Sequence, residues 1–304
     1  MAGRLTQAEL MTLVTSRVSR RVLDELIEFI SAKDPHLWGA IKPRSFLVST
    51  LLMVLYHDLY AVGFQKIVKR AKLEFRPSDK ALIHNAGIIR HLLSKWADSV
   101  IQLGGINDWN RSVANVRIPK ELEGTCLWID STDFPKQRYR GWSKKGVDFS
   151  PKLNRPGRRY LVLADGLGKV RAVFGGYSPK IFDGHALLIL KRWFEEKLQG
   201  AGVIGDQHFD WGGKKLNNVK FFTPFKNPPN SSEEKKMANA FVLTKEQQKF
   251  NNKLSRLRAR IETPFAWIKK RFATLSNPWA EHEDLMDPVV MFAMAVYTKS
   301  KREM

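Results

Sequence analysis

The feature that most limits what this chain can fold into is a change of hydrophobic period near Pro119. Before it the apolar residues keep a helical rhythm: Leu10, Leu13, Val14, Val18, Val22 and Leu26 fall on one helix face. Ser45 is placed to cap a helix over 46–59, a second helix fits 63–72, and Pro77-Ser78-Asp79 opens a third that passes Leu93 and Trp96. Short helices with tight joins predict an all-α, helix-turn-helix-like DNA-binding domain over residues 1–118. The same pattern also fits a plain helical bundle. After Pro119 the apolar runs shorten to strand length: 125–129, 160–164, 170–174, 201–204 and 219–223 read as five strands. Asp165-Gly166-Leu167-Gly168 reads as a hairpin turn between the second and third. Helical patterns return over 183–198, 244–272 and 287–298. This order predicts an α/β domain over 119–304, a mixed five-stranded sheet with flanking helices. It carries a basic insertion at 136–159 and a polar, Pro-rich loop at 226–243.

Charge narrows the partners. The 304 residues hold 51 Lys and Arg against 30 Asp and Glu, a formal excess of +21, and only a third of it precedes Pro119. A surplus of that size makes nucleic acid the default partner. Eighteen Phe and nine Trp supply a sizeable core, which excludes wholesale disorder. The single cysteine, Cys126, excludes a disulfide framework and a Cys-based zinc site, and its mid-strand position reads as a small core residue. The longest apolar run, 46–56, is about half of what spans a bilayer, and the N-terminus lacks an apolar leader. The expectation is therefore no membrane contact and no secretion, with the chain in the cytoplasm, or in the nucleus of a eukaryote.

Three acids follow apolar runs or sit among cations. Asp130 comes directly after Leu-Trp-Ile, at the expected exit of the first strand, and Asp206 after Val-Ile-Gly, at the exit of the fourth. If those strands are parallel neighbours, both carboxylates emerge at one sheet edge, where α/β proteins build sites. Hard divalent cations such as Mg²⁺ take oxygen ligands, and two-metal phosphodiester cleavage needs a few carboxylates to hold the ions. Glu262 is the candidate third ligand, set in a helix with nine basic residues and one other acid between Lys245 and Arg271. Its bland reading is an ion pair with Arg258, one turn earlier. Pro264 either kinks that helix or, with Thr263 as cap, starts a new one. Asp183 reads first as a helix N-cap. Asp133 reads as a loop acid, Asp165 as a turn residue, and His185 and His208 as hydrogen-bonded fillers or groups that orient phosphate or water.

Cations for DNA are concentrated in two stretches. Lys136, Arg138, Arg140, Lys144, Lys145, Arg158 and Arg159 lie in the insertion, interleaved with aromatics, which suits phosphates and unpaired bases. Arg256, Arg258, Lys269 and Arg271 flank Glu262, the last three as candidate phosphate clamps. Lys66, Lys69, Arg70, Lys72 and Arg76 would lie near a groove or backbone in the helical domain.

A family resemblance rests on specific residues. Asp130-Ser-Thr, the basic stretch and hairpin, Asp183-Gly-His185, Gly205-Asp206, and Arg258-Ala-Arg260-Ile-Glu262 followed by Trp267-Ile-Lys269-Lys-Arg271-Phe272 together resemble the DDE endonuclease domain of PIF/Harbinger-type transposases. The resemblance covers about 125–275, most specifically the stretch after Glu262, and more loosely 46–96. It implies an RNase H-like fold and metal-dependent DNA cleavage with strand transfer. Asp130, Asp206 and Glu262 would be the catalytic, metal-binding triad for Mg²⁺, with Mn²⁺ substituting, and Asp183, His185 and Asp210 would support it. It also implies transposon ends and target DNA as partners, self-association to pair two ends, and a separate Myb-like DNA-binding protein. The family often places an aromatic and a Pro after the second Asp, where this chain has Asp206-Gln-His208-Phe209-Asp210, so Asp210 rivals Asp206. Two alternatives stand beside this: a domesticated, catalytically silent DNA-binding protein on the same scaffold, and an RNA-associated protein with an RNase H-like domain.

Overall fold

The computed structural model describes residues 5–33, 44–72, 78–138, 143–144, 146–226 and 243–301. In chain order a two-residue strand β1 (Leu5–Thr6) leads into helix α1 (Gln7–Thr15), then α2 (Arg20–Ser31), α3 (Arg44–Tyr60) and α4 (Phe64–Arg70). Strand β2 (Ala71–Lys72) pairs with β1, and α5 (Asp79–Val100) and α6 (Ile106–Val113) complete the helical part. The continuous rhythm from Leu10 to Leu26 is two helices: the first closes at its C-cap Ser16, and Ser19 caps the second, accepting from the Val22 amide. Thr6 caps α1 and Glu9 returns the bond to the Thr6 amide, a reciprocal box that satisfies two otherwise orphaned donors. Ser78 caps α5. Helix α3 begins at Arg44, so Ser45, read as its cap, lies in its first turn instead.

The sheet strands are β3 (Thr125–Pro135), β4 (Phe149–Ser150), β5 (Arg155–Asp165), β6 (Val170–Tyr177), β7 (Gly202–Ile204) and β8 (Lys220–Phe222). Between them lie α7 (Asp183–Ile189), α8 (Lys191–Lys197) and α9 (Asp210–Gly213), and α10 (Lys245–Arg271), α11 (Ala273–Ser276) and α12 (Met286–Ser300) follow. The five expected strands are present, joined by the two-residue β4. Strand order runs β4-β5-β3-β7-β8, with β6 also on β5; β7 is parallel to β3 and β8, and β6 is antiparallel to β5. This mixed arrangement is the RNase H-like fold. The β5–β6 turn closes as expected, with the Asp165 carboxylate accepting from the Leu167 and Lys169 amides and Gly168 at φ 76°.

Two local expectations are corrected, and one of the two alternatives at Pro264 is excluded. Strand β3 does not end at Asp130 but continues extended to Pro135, buried throughout, so Asp130 lies mid-strand. The single helix expected over 183–198 breaks at Leu190 (φ −94°, ψ 6°) into α7 and α8. Helix α10 runs unbroken through Pro264, so Thr263 caps no new helix there.

The chain forms two compact units, one of Met1–Gln102, Asp133–Arg158 and Ala266–Met304, the other of Leu103–Thr132 and Arg159–Phe265. In the first, α3 is buried nearly all round, and Phe292 of α12 meets Trp96 of α5 and Phe272. A buried ionic cluster lies there too. The Arg90 guanidinium, with no exposed surface, binds both oxygens of the equally buried Asp58 and both oxygens of Glu281 (2.5 and 3.0 Å). His57 places one ring nitrogen 2.6 Å from Glu281 and the other 2.8 Å from the Val62 carbonyl. Both neighbours are acceptors, which fits the doubly protonated ring. In the second unit, Cys126, Leu127, Ile129, Leu161, Leu163 and Val203 of the sheet pack with Leu187, Phe194 and Trp109. Each such aliphatic side chain contributes about 1.5–3 kcal/mol by leaving water. Cys126 is one of this core, its thiol pushed up to about 11 by burial.

Candidate active site

The second unit holds all three acids. Register brings two of them into line. In the parallel β3–β7 pair, Leu127 lies opposite Val203 and Trp128 opposite Ile204. Asp130 stands two residues past Trp128, still in β3, and Asp206 two residues past Ile204, just beyond the end of β7. Extended backbone therefore sets both on the sheet face of the Trp128–Ile204 pair, with β3 and β7 about 4.8 Å apart. The backbone stays extended through Gly205, whose amide bonds the Phe222 carbonyl, and through Asp206 (φ −80°, ψ 179°). Gly202 is what lets β7 come this near, since a Cβ there would stand 2.5 Å from the Gly124 carbonyl oxygen.

The two carboxylates differ in surroundings. Asp130 is nearly buried; one oxygen accepts the Ser131 amide (2.7 Å) and the other lies 3.7 Å from the Arg258 guanidinium. Asp206 is half-exposed. One oxygen accepts the His208 amide (2.8 Å), which turns the chain into a short 3-10 segment over Gln207–Phe209, and the second accepts no hydrogen bond among the described residues. Its rival Asp210 is committed elsewhere, one oxygen to the Thr223 hydroxyl (2.8 Å) and the other to the Lys214 ammonium (2.7 Å).

Glu262 is exposed on α10 and makes no ion pair among the described residues. Arg258, one turn earlier, reaches Asp130 rather than Glu262, and its Nε is buried without a hydrogen-bond partner. Residues four apart share a helix face, so the face that meets Asp130 through Arg258 also carries Glu262. Among the described residues no group of three or more His, Cys, Asp or Glu side chains is placed to share a metal ion. The geometry brings Asp130 and Asp206 to matched positions and leaves Glu262 on the adjoining helix face. The donor chemistry, carboxylate oxygen throughout, is that of a hard divalent cation.

Of the supporting residues, Asp183 does not cap α7. Phe182 holds that position, and buried Asp183 sits in the first turn, paired with buried Arg159 at 3.2 Å. Arg159 also donates to the Ile181 carbonyl (2.8 Å), so this basic residue is tied into the fold. Sequence reasoning missed this pair, although an unmatched Arg in an apolar strand is a sign of a buried partner. His185 is exposed with its ring 4.8 Å from Trp211, edge to face, and His208 is exposed.

Of the remaining basic residues, Arg256 lies in the second unit and the others fall in the first unit or outside the description. Arg140 and Lys145 lie outside the described residues, and Arg138 and Lys144 are exposed. Lys136 is buried and paired with Asp148 (3.1 Å) and Glu283. Arg158 donates to the Glu283 carbonyl and lies 3.5 Å from Asp287. Asp133 is no loop acid: it is buried in β3 and accepts from the Ser150 hydroxyl (2.6 Å). Lys269 is half-buried with Phe134 5.5 Å away; burial pushes its pKa down, with the charge of Asp133 acting against that. Arg271 donates to the Arg17 carbonyl and covers the Trp267 ring. Arg256 is exposed. No helix among the described residues is long and apolar enough to cross a membrane.

A family model described as a transposase DDE domain matches residues 121–295. No curated protein and no solved structure matches the chain.

Proposed function

Since the chain belongs to the family of transposases defined by the DDE domain, we propose that it cuts phosphodiester bonds at transposon ends and joins them to target DNA. Within that family we assign it to the PIF/Harbinger type, on the Arg-x-x-Ile-Glu and Lys-x-Arg-Phe text that runs from Arg258 to Phe272. The observation that carries the proposal is the matched placement of Asp130 and Asp206 beyond the β3–β7 register. Those two carboxylates would hold the divalent cation, Mg²⁺ or Mn²⁺, with Glu262 reaching in from α10. When bound, such ions supply Lewis acidity for phosphoryl transfer. Arg258, now 3.7 Å from Asp130, would give its guanidinium to a phosphate oxygen of the substrate once a cation takes its place at the carboxylate. The half-exposed edge at Asp206 leaves room for a strand, whereas Asp130 is screened from water on the core side. The helices before residue 119 would bind DNA, two protomers would pair two ends, and a Myb-like protein would be a separate partner.

The test is cleavage of candidate element ends with Mg²⁺, Mn²⁺ or EDTA. Asp130→Asn, Asp206→Asn and Glu262→Gln should each lower metal-dependent cleavage by at least a hundredfold while DNA binding persists. Binding without metal-dependent cleavage in the unaltered protein would leave the silent DNA-binding reading in its place.

A further inference from the structure

The second unit carries a basic cleft on the side of α10 away from the acids. One wall is the segment 116–121 and the other is the α10 face of Lys253, Arg256, Leu257 and Arg260, enclosing about 790 Å³. At about 100° per residue those four positions cluster on one side of the helix, and Glu262 lies about 170° round from their centre. Its sole lining acid, Glu121, is paired with Lys253 at 2.8 Å. Arg260 is fixed by donating to the Gly166 carbonyl (2.8 Å). The first bond joins the two walls, and the second anchors the α10 wall to the β5–β6 turn. Arg117, Lys120 and Arg256 are exposed, and their side chains make no hydrogen bond or ion pair among the described residues. Three cations without counter-charge around a half-open cleft call for an anion that spans both walls.

We propose that this cleft binds the phosphodiester backbone of a second DNA duplex, distinct from the strand presented to Asp130 and Asp206. An α-helix with its side chains is about 10–12 Å across, so cations on its far side cannot reach the phosphate that the acids engage. The inference rests on the DNA-joining reading, in which two duplexes must be held together.

The test uses the full chain and an Arg117→Ser/Lys120→Ser variant. Each phosphate contact contributes about 0.9 to the slope of log affinity against log salt for duplex DNA. The variant should lower that slope by about 2, and Arg256→Ser added to it by about 1 more. Arg117→Lys should keep the slope, which separates charge loss from misfolding. In an Asp130→Asn background, where cleavage is removed, the same double substitution should lower the slope equally. The unaltered protein loaded with one labelled end should capture a second labelled duplex, and the variant should do so at least tenfold less. An unchanged slope overturns the proposal, as does a lowered slope with undiminished second capture, which would place the first duplex in the cleft. Absence of metal-dependent cleavage, with the slope and capture losses intact, would sink the nuclease reading and leave the cleft standing.

Discussion

Arg90→Met tests whether the buried ionic cluster holds the first unit together. Arg90 and Asp58 have no exposed surface, and the guanidinium contacts both oxygens of Asp58 and both of Glu281. With His57 protonated, two cations balance two carboxylates. Methionine keeps much of the packed volume but leaves His57 alone, 2.6 Å from Glu281 and 3.9 Å from Asp58. Removing one partner of a buried pair strands a charge at a cost of about 3–5 kcal/mol. Most of this falls on Asp58, because the Glu281 side chain keeps 23% of its exposure and water screens its share. Adding Asp58→Asn neutralises the stranded group, and the double variant should recover about half of the loss. The assay is urea unfolding followed by tryptophan fluorescence, with hydrogen exchange on α3 and α5 peptides to locate the effect. A loss below about 1 kcal/mol, or a double variant no more stable than Arg90→Met, would refute the charge-stranding argument.

The same cluster should give the unit a pH optimum. Burial alone would raise Glu281, but hydrogen bonds from His57 and Arg90 hold it at about 2, so its contribution is full above its ordinary 4.5 and lost as pH falls toward 2. Burial alone would depress His57, yet the bond to Glu281 and the charge of Asp58 leave it raised above its ordinary 6.5. Its contribution is full below 6.5 and lost as pH rises through the raised value, so urea midpoints should peak between pH 4.5 and 6.5 and decline on both sides. His57→Gln should remove the alkaline decline, and an unaltered protein with a flat midpoint from neutral to pH 9 would contradict the assignment. Gly212→Ala should cost about 1–3 kcal/mol and lower cleavage, because its Cβ would stand 2.3 Å from the Gly184 carbonyl oxygen and force α9, just past Asp206, away from α7. Thermal unfolding and the cleavage assay measure both effects, and an unchanged melting temperature would show that α7 and α9 separate at no cost.

Strand existence was legible because buried strands are written as continuous apolar runs, and TCLWI, YLVLA and AGVI are such runs. Their extent was not. Ser131 to Pro135 carry little apolar signal, yet β3 continues through them because partners elsewhere in the chain satisfy their polar groups, as Ser150 does for Asp133. The break at Leu190 has neither Gly nor Pro to announce it. Asp58 was a readable anomaly, a lone acid inside an apolar helix, but its partners lie 32 residues away at Arg90 and, beyond that, at Glu281. Arg258 shows the limit most sharply. Spacing of four pairs it with Glu262 on an isolated helix, where both would be solvated and the pair worth a few tenths of a kcal/mol. In the fold the same guanidinium lies against a nearly buried carboxylate, Asp130, where the exchange of water for charge is worth more. Local spacing is thus overruled by a sheet strand that the helix alone cannot know about. Among the described residues the result leaves Glu262 without an ion pair on its face of α10 and places a cation beside Asp130. A substrate phosphate and a divalent ion would together take over the roles that Arg258 and Asp130 now perform for each other.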